Sequence, residues 1–425
     1  MRLGGRMAAA IEVLADIEAR KRPVADALKD WGLAHRFAGS GDRSAIGNLV
    51  YDALRMRLSH AYLMQDDSET ALIYAVLLRQ WGFTLDTLAA ELADDKFAPA
   101  APDLSGLATR DLAEAEPHVQ GDIPDWLVPS FQSAFGNDWL FEARAMAERP
   151  TLDLRANTLK AGRDKVVKAL ERAGATPTRI ARNGIRIPAG DGAARLPNVT
   201  AELSFQKGWF EVQDEGSQIV ADLVLPQEGQ QVLDYCAGGG GKTLAMAAAM
   251  NNRGQVHAYD ADRKRLAPII ERLRRAGTRN VQVHDDVRGL KALEGKLDTV
   301  LVDAPCTGTG TWRRRPDTKW KLTPRNIEER LEQQRDALSS AAAYVRPGGT
   351  LVYVTCSVLP EENDRQIARF TAEHPDFAAT TSLDAWDRLF AGAPKPYSGD
   401  GKGLTLTPAR TGTDGFFFCR LERRA

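Results

Sequence analysis

The chain has 425 residues, 43% of them hydrophobic, and a formal net charge of −1. At about 100–200 residues per domain that length admits two to four domains, and the apolar fraction excludes wholesale disorder. The near-neutral balance excludes a polycation, so any nucleic-acid surface must be a local patch.

Residues 7–95 read as helix only. Apolar residues at three- and four-residue spacing predict helices over 7–20, 45–58 and 69–81. Ser40-Gly41-Asp42 is a loop and N-cap region before the second of these. Such a stripe is first of all a core signal, although Arg43, Arg55 and Arg57 offer contacts to RNA. The Ala/Pro/Asp-rich stretch 96–122 closes this part as a linker, with a boundary near Asp122-Ile123-Pro124, giving a helical domain and linker over 1–122.

Residues 123–210 mix types. A helix is expected over 124–135, stopped by Gly136, then a strand over 151–155. A helix over 164–173, ended by Gly174, and a short strand over 185–187 follow. This is a small α+β module, and Arg179, Arg182, Arg186 and Arg195 give it either a solvated face or phosphate contacts.

From 211 to 425 strands alternate with helices. Strands are predicted over 231–235, 256–259, 281–283, 299–303 and 350–355. Helices are predicted over 214–224, 263–276, 324–345 and 361–374, with another after the glycine loop. The alternation implies a doubly wound, mostly parallel, Rossmann-like α/β sheet, and the runs 404–407 and 416–421 pair as a C-terminal antiparallel hairpin.

The four cysteines, Cys236, Cys306, Cys356 and Cys419, are too few for a disulfide framework. They point to a reducing, cytoplasmic setting. Glu12 and Asp16 interrupt any signal-peptide core, and no uncharged apolar run reaches the ~18 residues that span a bilayer. The histidines are scattered without ligand spacing, so no metal is expected.

Two cysteines share a design. Residues 300–310 read VLVDAPCTGTG, an apolar run ending in Asp303 and followed by Cys306. Residues 351–363 read LVYVTCSVLPEEN, an apolar run delivering Thr355, Cys356 and Ser357. Ligands bind beyond the carboxyl ends of strands in such sheets, so both thiols face one crevice. Cys419, among phenylalanines, reads as core.

Residues 233–243 read LDYCAGGGGKT. A phosphate loop requires glycine where Cys236 stands, and a dinucleotide fingerprint requires glycine where Thr243 stands, so both fail. S-adenosylmethionine remains: its ribose diol, adenine amine and ammonium call for carboxylates at strand ends. Asp260 stands about 20 residues past the loop, where a ribose-binding acid belongs. Asp286 follows the third strand, toward the adenine side, and Asp234 and Asp303 end two others.

With these pieces in hand, the catalytic half resembles the Nop/Sun family of S-adenosylmethionine-dependent RNA cytosine-5 methyltransferases, most of all its bacterial RsmB/Sun branch. The resemblance rests on the loop 236–243, Asp303-Ala304-Pro305-Cys306 with Gly308 and Gly310, and 314–320 (RRPDTKW). Thr355-Cys356-Ser357 with Pro360-Glu361-Glu362-Asn363, and the closing Asp414-Gly415-Phe416-Phe417, complete it. It covers 203–421, reaches the α+β module through 154–160 (LRANTLK), and extends to a NusB-like helical domain by pattern alone. One departure is noted at Gly240, taken as the place where the family's loop usually carries proline.

The resemblance implies a Rossmann-like class I methyltransferase domain. It implies S-adenosylmethionine as cofactor, bound by Cys236, Ala237, Gly238, Gly239, Gly240, Gly241, Lys242, Asp260, Asp286 and Asp303. It implies Cys356 as the nucleophile that adds to C6 of cytosine and Cys306 as the residue that assists breakdown of the adduct. Asp303 is then the acid at the N3/N4 edge of the base. The substrate implied is RNA, small-subunit (16S) ribosomal RNA first of all, at a single-stranded or loop cytosine. Between residues 313 and 325 Lys and Arg outnumber a single acid, with Trp312 and Trp320 beside them. Arg313, Arg314, Lys319 and Trp320 are the expected RNA contacts. A monomer is expected. The rival functions are a non-catalytic RNA-binding or ribosome-assembly factor on the same fold and a phosphate-loop nucleotidase.

Overall fold

The computed structural model describes all residues, Met1–Ala425. Two compact units divide the chain. The first comprises Met1–Pro150, Ala189–Pro197 and Thr311–Leu322; the second comprises Thr151–Pro188, Asn198–Gly310 and Thr323–Ala425.

The first unit is helical. Its core joins helices Leu3–Arg20, Val24–Ala34, Ser40–Arg55 and Glu69–Arg79 through Met7, Ile46, Leu49 and Ile73, all fully buried. The helix expected over 45–58 is two helices, Ser40–Arg55 and Arg57–Met64, separated at Met56. The excursion Thr311–Leu322 packs into the same unit, as the stacking of Trp312 on Phe131 illustrates.

The second unit holds two sheets. The smaller is antiparallel, in the order β2-β3-β1-β4, with β1 (Leu152–Ala156), β2 (Thr176–Pro177), β3 (Gly184–Ile187) and β4 (Phe210–Val212). The larger runs β10-β12-β9-β8-β5-β6-β7, with β11 added on β12. Its strands are β5 (Gln231–Asp234), β6 (Gln255–Tyr259), β7 (Val281–His284), β8 (Leu297–Asp303), β9 (Val345–Thr355), β10 (Phe377–Ala379), β11 (Gly403–Leu406) and β12 (Phe416–Arg423). The run β9-β8-β5-β6-β7 is parallel, and β11 and β12 form the expected antiparallel pair with Leu404 opposite Phe418.

Period-two alternation covers both faces of this sheet. Val232, Leu301, Val352 and Val354 face one core, while Leu233, Val300, Val302, Leu351 and Tyr353 face the other. Strand order reverses between β5 and β8, and at such a switch point the carboxyl ends open a crevice. The helix expected over 263–276 is two pieces, Arg263–Leu266 and Ile269–Ala276. Pro268 lies between them and has no N–H to carry the helical ladder through. No helix is long and apolar enough to cross a membrane.

Candidate active site

Adjacent parallel strands β8 and β9 deliver the two thiols together. Asp303 pairs in register with Val354, and Ala304 N donates to Val354 O at 2.8 Å. Three residues past Asp303, and one past Thr355, Cys306 Sγ and Cys356 Sγ lie 3.3 Å apart. The two are not equivalent. A hydrogen bond from Cys306 draws the Cys356 thiol down against the opposing effect of burial, and the Lys242 ammonium adds to the lowering. Cys306, as donor to Cys356 and in a buried position, is pushed well above the ordinary thiol range. Of the two thiols, Cys356 is therefore the easier to ionise and Cys306 the one that holds its proton.

The rest of both motifs locks the loops that carry these thiols. Glu362, fully buried, accepts from Thr307 N at 2.8 Å, Thr307 Oγ1 at 2.5 Å and Gln334 Nε2 at 2.9 Å. Thr309 Oγ1 shares a 2.9 Å hydrogen bond with Ser357 Oγ and accepts from Val358 N at 3.0 Å. Asn363 accepts from Thr355 Oγ1 at 2.7 Å and donates to Ser357 O at 3.0 Å. Gly310 N donates to Cys356 O at 3.0 Å, and Gly415 N donates to Gly310 O at 2.8 Å, so the Asp-Gly-Phe-Phe segment closes the same knot. A Cβ on Gly310 would stand 2.2 Å from the Gly415 carbonyl oxygen, so this approach requires glycine. Sequence reasoning places Glu362 and Asn363 in a motif but gives them no role; Thr307, Thr309 and Gln334 carry no signal of their own.

The glycine loop leaves β5 and opens the helix Gly241–Ala249. Gly238 and Gly240 have φ of +50° and +82°. The proline departure therefore does not fall at Gly240, as expected from sequence, but one position earlier. Proline fixes φ near about −65° and cannot occupy a position at +82°; the residue preceding the last two glycines is Gly239, whose φ is not positive. Asp260, at 4% exposure, accepts from Gly238 N and Asp262 N, both at 2.9 Å, and thereby ties the loop to the end of β6.

The charges around this loop suit a cationic ligand carrying hydroxyls. Asp234 is buried, accepts from Thr243 Oγ1 at 2.7 Å, and keeps Oδ1 without a hydrogen-bond partner. Burial pushes its carboxyl up to about 7. Cys236 is likewise held well above the ordinary thiol range, by burial first and then by Asp260, Asp234 and Asp303. Lys242 Nζ donates to Asp303 Oδ2 at 2.6 Å and lies 5.3 Å from the centre of the Phe416 ring. It thus bridges the loop and the acid at the end of β8. Asp286 caps the turn Val287–Leu293, and Arg288 holds its carboxyl down at about 2 through bonds to both oxygens. With acceptors at the ends of β5, β6 and β8 and close backbone between them, the residues present fit S-adenosylmethionine; Asp286 meets it only by giving up a bond to Arg288.

The expected RNA contacts fall in the helical unit, and their surroundings differ. Lys319, at 1% exposure, donates from Nζ to Arg55 O at 3.0 Å and lies 4.6 Å from the Trp320 ring. Trp320 Nε1 donates to Leu54 O at 2.7 Å. Arg313 is buried, with its carbonyl accepting from Arg55 Nε at 2.8 Å. These three hold 311–322 onto the helices, and their polar groups face inward. Arg314 and Lys321 are half-buried, Lys321 bonded to Arg22 O and Asp317, while Arg315 and Arg325 are exposed, Arg325 paired with Glu329. Arg55, considered for RNA, is buried and bonded to Asp52.

The chain is similar to known proteins. The family described as 16S rRNA methyltransferase RsmB/F matches residues 221–422, and its ferredoxin-like domain matches 123–190. The ribosomal RNA small subunit methyltransferase B of Cronobacter sakazakii is 35% identical over 71% of this chain and 66% of its own length. A probable methyltransferase of the same description from Synechocystis is 34% identical over 72% of this chain and 67% of its own. The match therefore spans about two thirds of these curated relatives. The solved structure of PH0851 superposes with a TM-score of 0.76 at 26% identity, covering 100% of this chain and 99% of that one.

Proposed function

The chain belongs to the 16S rRNA methyltransferase RsmB/F family, and from that membership we propose that it methylates C5 of a cytosine in small-subunit ribosomal RNA through a covalent adduct at Cys356. The observation that carries this is the 3.3 Å pair of Cys306 and Cys356 at the ends of neighbouring strands.

S-adenosylmethionine supplies an electrophilic methyl group on a sulfonium. The loop 236–242 and Asp260 would hold it, with Asp234 at the end of β5 beneath the loop. Cytosine C5 is a weak nucleophile until a thiolate adds at C6 and makes it enamine-like. Cys356, whose ionisation is favoured by the Cys306 S–H first and by Lys242 against burial and Asp303, bonds to C6 as the thiolate. Asp303, joined to Lys242, would lie at the N3/N4 edge of the base, where a proton relayed from the Lys242 ammonium through its carboxyl to N3 neutralises the negative charge that thiolate addition develops. After methyl transfer a solvent water takes the C5 proton, the C5–H electron pair forms the C5–C6 double bond, and the C6–S bond breaks with its electron pair on Cys356. The Cys306 S–H then stabilises the departing thiolate. C5 and C6 are reachable only in an unstacked nucleotide, so the target is a loop or an opened junction in RNA. The helical part (1–122) and the small module (123–210) would hold the RNA while 211–425 performs the chemistry in the cytoplasm.

The test is trapping. Cys306→Ala, incubated with S-adenosylmethionine and total RNA, is expected to accumulate a protein–RNA adduct that survives denaturation. Cys306→Ala/Cys356→Ala is expected to give none, and sequencing the trapped RNA identifies the cytosine. Normal methylation by Cys356→Ala would overturn the proposal. Absence of methyl transfer to any RNA by the wild-type protein would favour a non-catalytic RNA-binding factor.

A further inference from the structure

Four consecutive glycines, 238–241, form the cofactor loop. Such a segment has more backbone freedom than any other sequence of its length, and ordering it on a ligand opposes binding. Something outside the loop must hold it. Apart from those to two arginines, the loop's hydrogen bonds are few: Gly240 N donates to Ala237 O, Gly238 N to Asp260, and Gly240 O accepts from Leu244 N.

Two arginines grip the loop carbonyls from outside. Arg272, on the helix Ile269–Ala276, donates from Nη1 to Gly239 O at 2.5 Å. Arg155, on β1 of the small sheet, donates from Nη1 to Gly241 O at 3.2 Å. Arg272 is itself aimed. Its Nε and Nη2 both donate to Glu211 Oε2, at 3.2 and 3.0 Å, and Glu211 stands on β4, also in the small sheet. Glu211 is 3% exposed, takes Arg275 on its other oxygen at 2.6 Å, and is the cross-strand partner of Arg155. One guanidinium fork therefore spans carboxylate and loop carbonyl at once, which a point charge on a flexible stem cannot do.

We propose that Arg272, aimed by Glu211, is a positioning residue for the S-adenosylmethionine loop, so that the small sheet sets cofactor affinity through Glu211 and Arg155. The proposal rests on the assignment of loop 236–242 to that cofactor. Neither Arg272 nor Glu211 touches the reacting atoms. Their effect is to order the loop before the ligand arrives, which is felt in binding more than in the chemical step.

Calorimetric titration of full-length wild-type protein with S-adenosylmethionine comes first, because absence of binding there overturns the cofactor assignment itself. Given binding, Arg272→Gln is expected to raise Kd about tenfold, as loss of one charge-assisted hydrogen bond does. kcat at saturating cofactor should stay within about twofold. Hydrogen exchange at the amides of 238–241 in the ligand-free protein should accelerate, a readout independent of turnover. Arg272→Lys, which keeps charge and length, covers the case in which Arg272→Gln fails to fold, and its Kd is expected above that of wild type. Glu211→Gln is expected to weaken binding in the wild-type background and to add nothing in Arg272→Gln, since it acts through that residue. Unchanged Kd and exchange in a folded Arg272 variant overturn the proposal. Equal effects of Glu211→Gln in both backgrounds overturn the role given to the small sheet.

Discussion

Cys306 Sγ stands 3.3 Å from Cys356 Sγ, and the contact draws Cys356 down while Cys306 itself is pushed up, as a proton held on Cys306 and shared toward Cys356 would do. The reactive form is the Cys356 thiolate, so reactivity is present above its lowered pKa and is lost as pH falls through it. Removing the donor in Cys306→Ala is expected to raise the Cys356 pKa and move the acid limb to higher pH. Alkylation of Cys356 by iodoacetamide, followed by peptide mass spectrometry from acid to alkaline pH, measures this. An unmoved limb in Cys306→Ala would show that the neighbouring thiol does not tune the nucleophile.

The same proximity makes the pair oxidisable. Diamide accepts two electrons and two protons, one hydrogen from each thiol, and an S–S bond forms between Cys306 and Cys356. Cys306→Ala cannot form this bridge. The expected result is loss of Cys356 alkylation in oxidised wild type, full recovery with dithiothreitol, and no such protection in Cys306→Ala. Protection that persists in that variant would place the oxidation elsewhere.

Glu362 accepts from three donors that carry the Cys306 loop, and it is fully buried. Glu362→Ala leaves the Thr307 N–H and the Thr307 hydroxyl without an acceptor, and leaves the Gln334 amide only Pro305 O. The expected cost is on the order of 3 kcal/mol of stability, with methyl transfer falling as the loop loosens. Glu362→Gln keeps one acceptor oxygen and is expected to lose less on both counts. Urea midpoints and single-turnover rates on the two variants decide it; equal midpoints for Glu362→Ala and wild type would overturn the role given to this carboxylate.

The large sheet was legible in sequence because its strands are apolar runs of β-branched residues punctuated by glycine, and both cysteine motifs sit where those runs stop. What was not legible depends on pairings distant in sequence. Lys319 and Arg313 read as a basic surface, yet their partner Arg55 lies 264 and 258 positions away. Glu362 gains its role from Thr307, 55 residues earlier. β4 has three residues, too few to show a period, and exists because Phe210 and Val212 pair with β1. The two-part helix around Pro268 was readable in principle, since proline was in plain sight; the amphipathic pattern outweighed it.

The basic stretch 313–325 now divides by exposure. Arg314→Ala and Arg315→Ala are expected to weaken RNA binding. Each is also expected to reduce the slope of log affinity against log salt, by about 0.7–0.9 for every phosphate it no longer neutralises. Lys319→Ala is expected to lower thermal stability instead, because it removes a buried ammonium bonded to Arg55 O and held near Asp122. Fluorescence anisotropy over a salt series, with melting curves on the same samples, separates the two. A reduced salt slope with unchanged melting for Lys319→Ala would return that residue to the RNA surface.

His60 makes the helical unit acid-sensitive. It is 0% exposed, and neither ring nitrogen has a hydrogen-bond partner. Burial holds its pKa down at about 3, with the Arg79 charge adding to the effect. A histidine whose folded pKa is depressed gives its full contribution above the unfolded value of about 6.5 and loses it progressively as pH falls toward 3. In that window the unfolded chain binds the proton and the folded chain does not. Across the whole window the loss is on the order of 5 kcal/mol. His60→Leu cannot be protonated and leaves no orphaned nitrogen. It is therefore expected to match or exceed wild-type stability at neutral pH and to lose less on acidification. Urea unfolding of both proteins at several pH values from 7 downward measures the difference. Parallel loss of stability in His60→Leu and wild type would show that acid sensitivity originates in other groups.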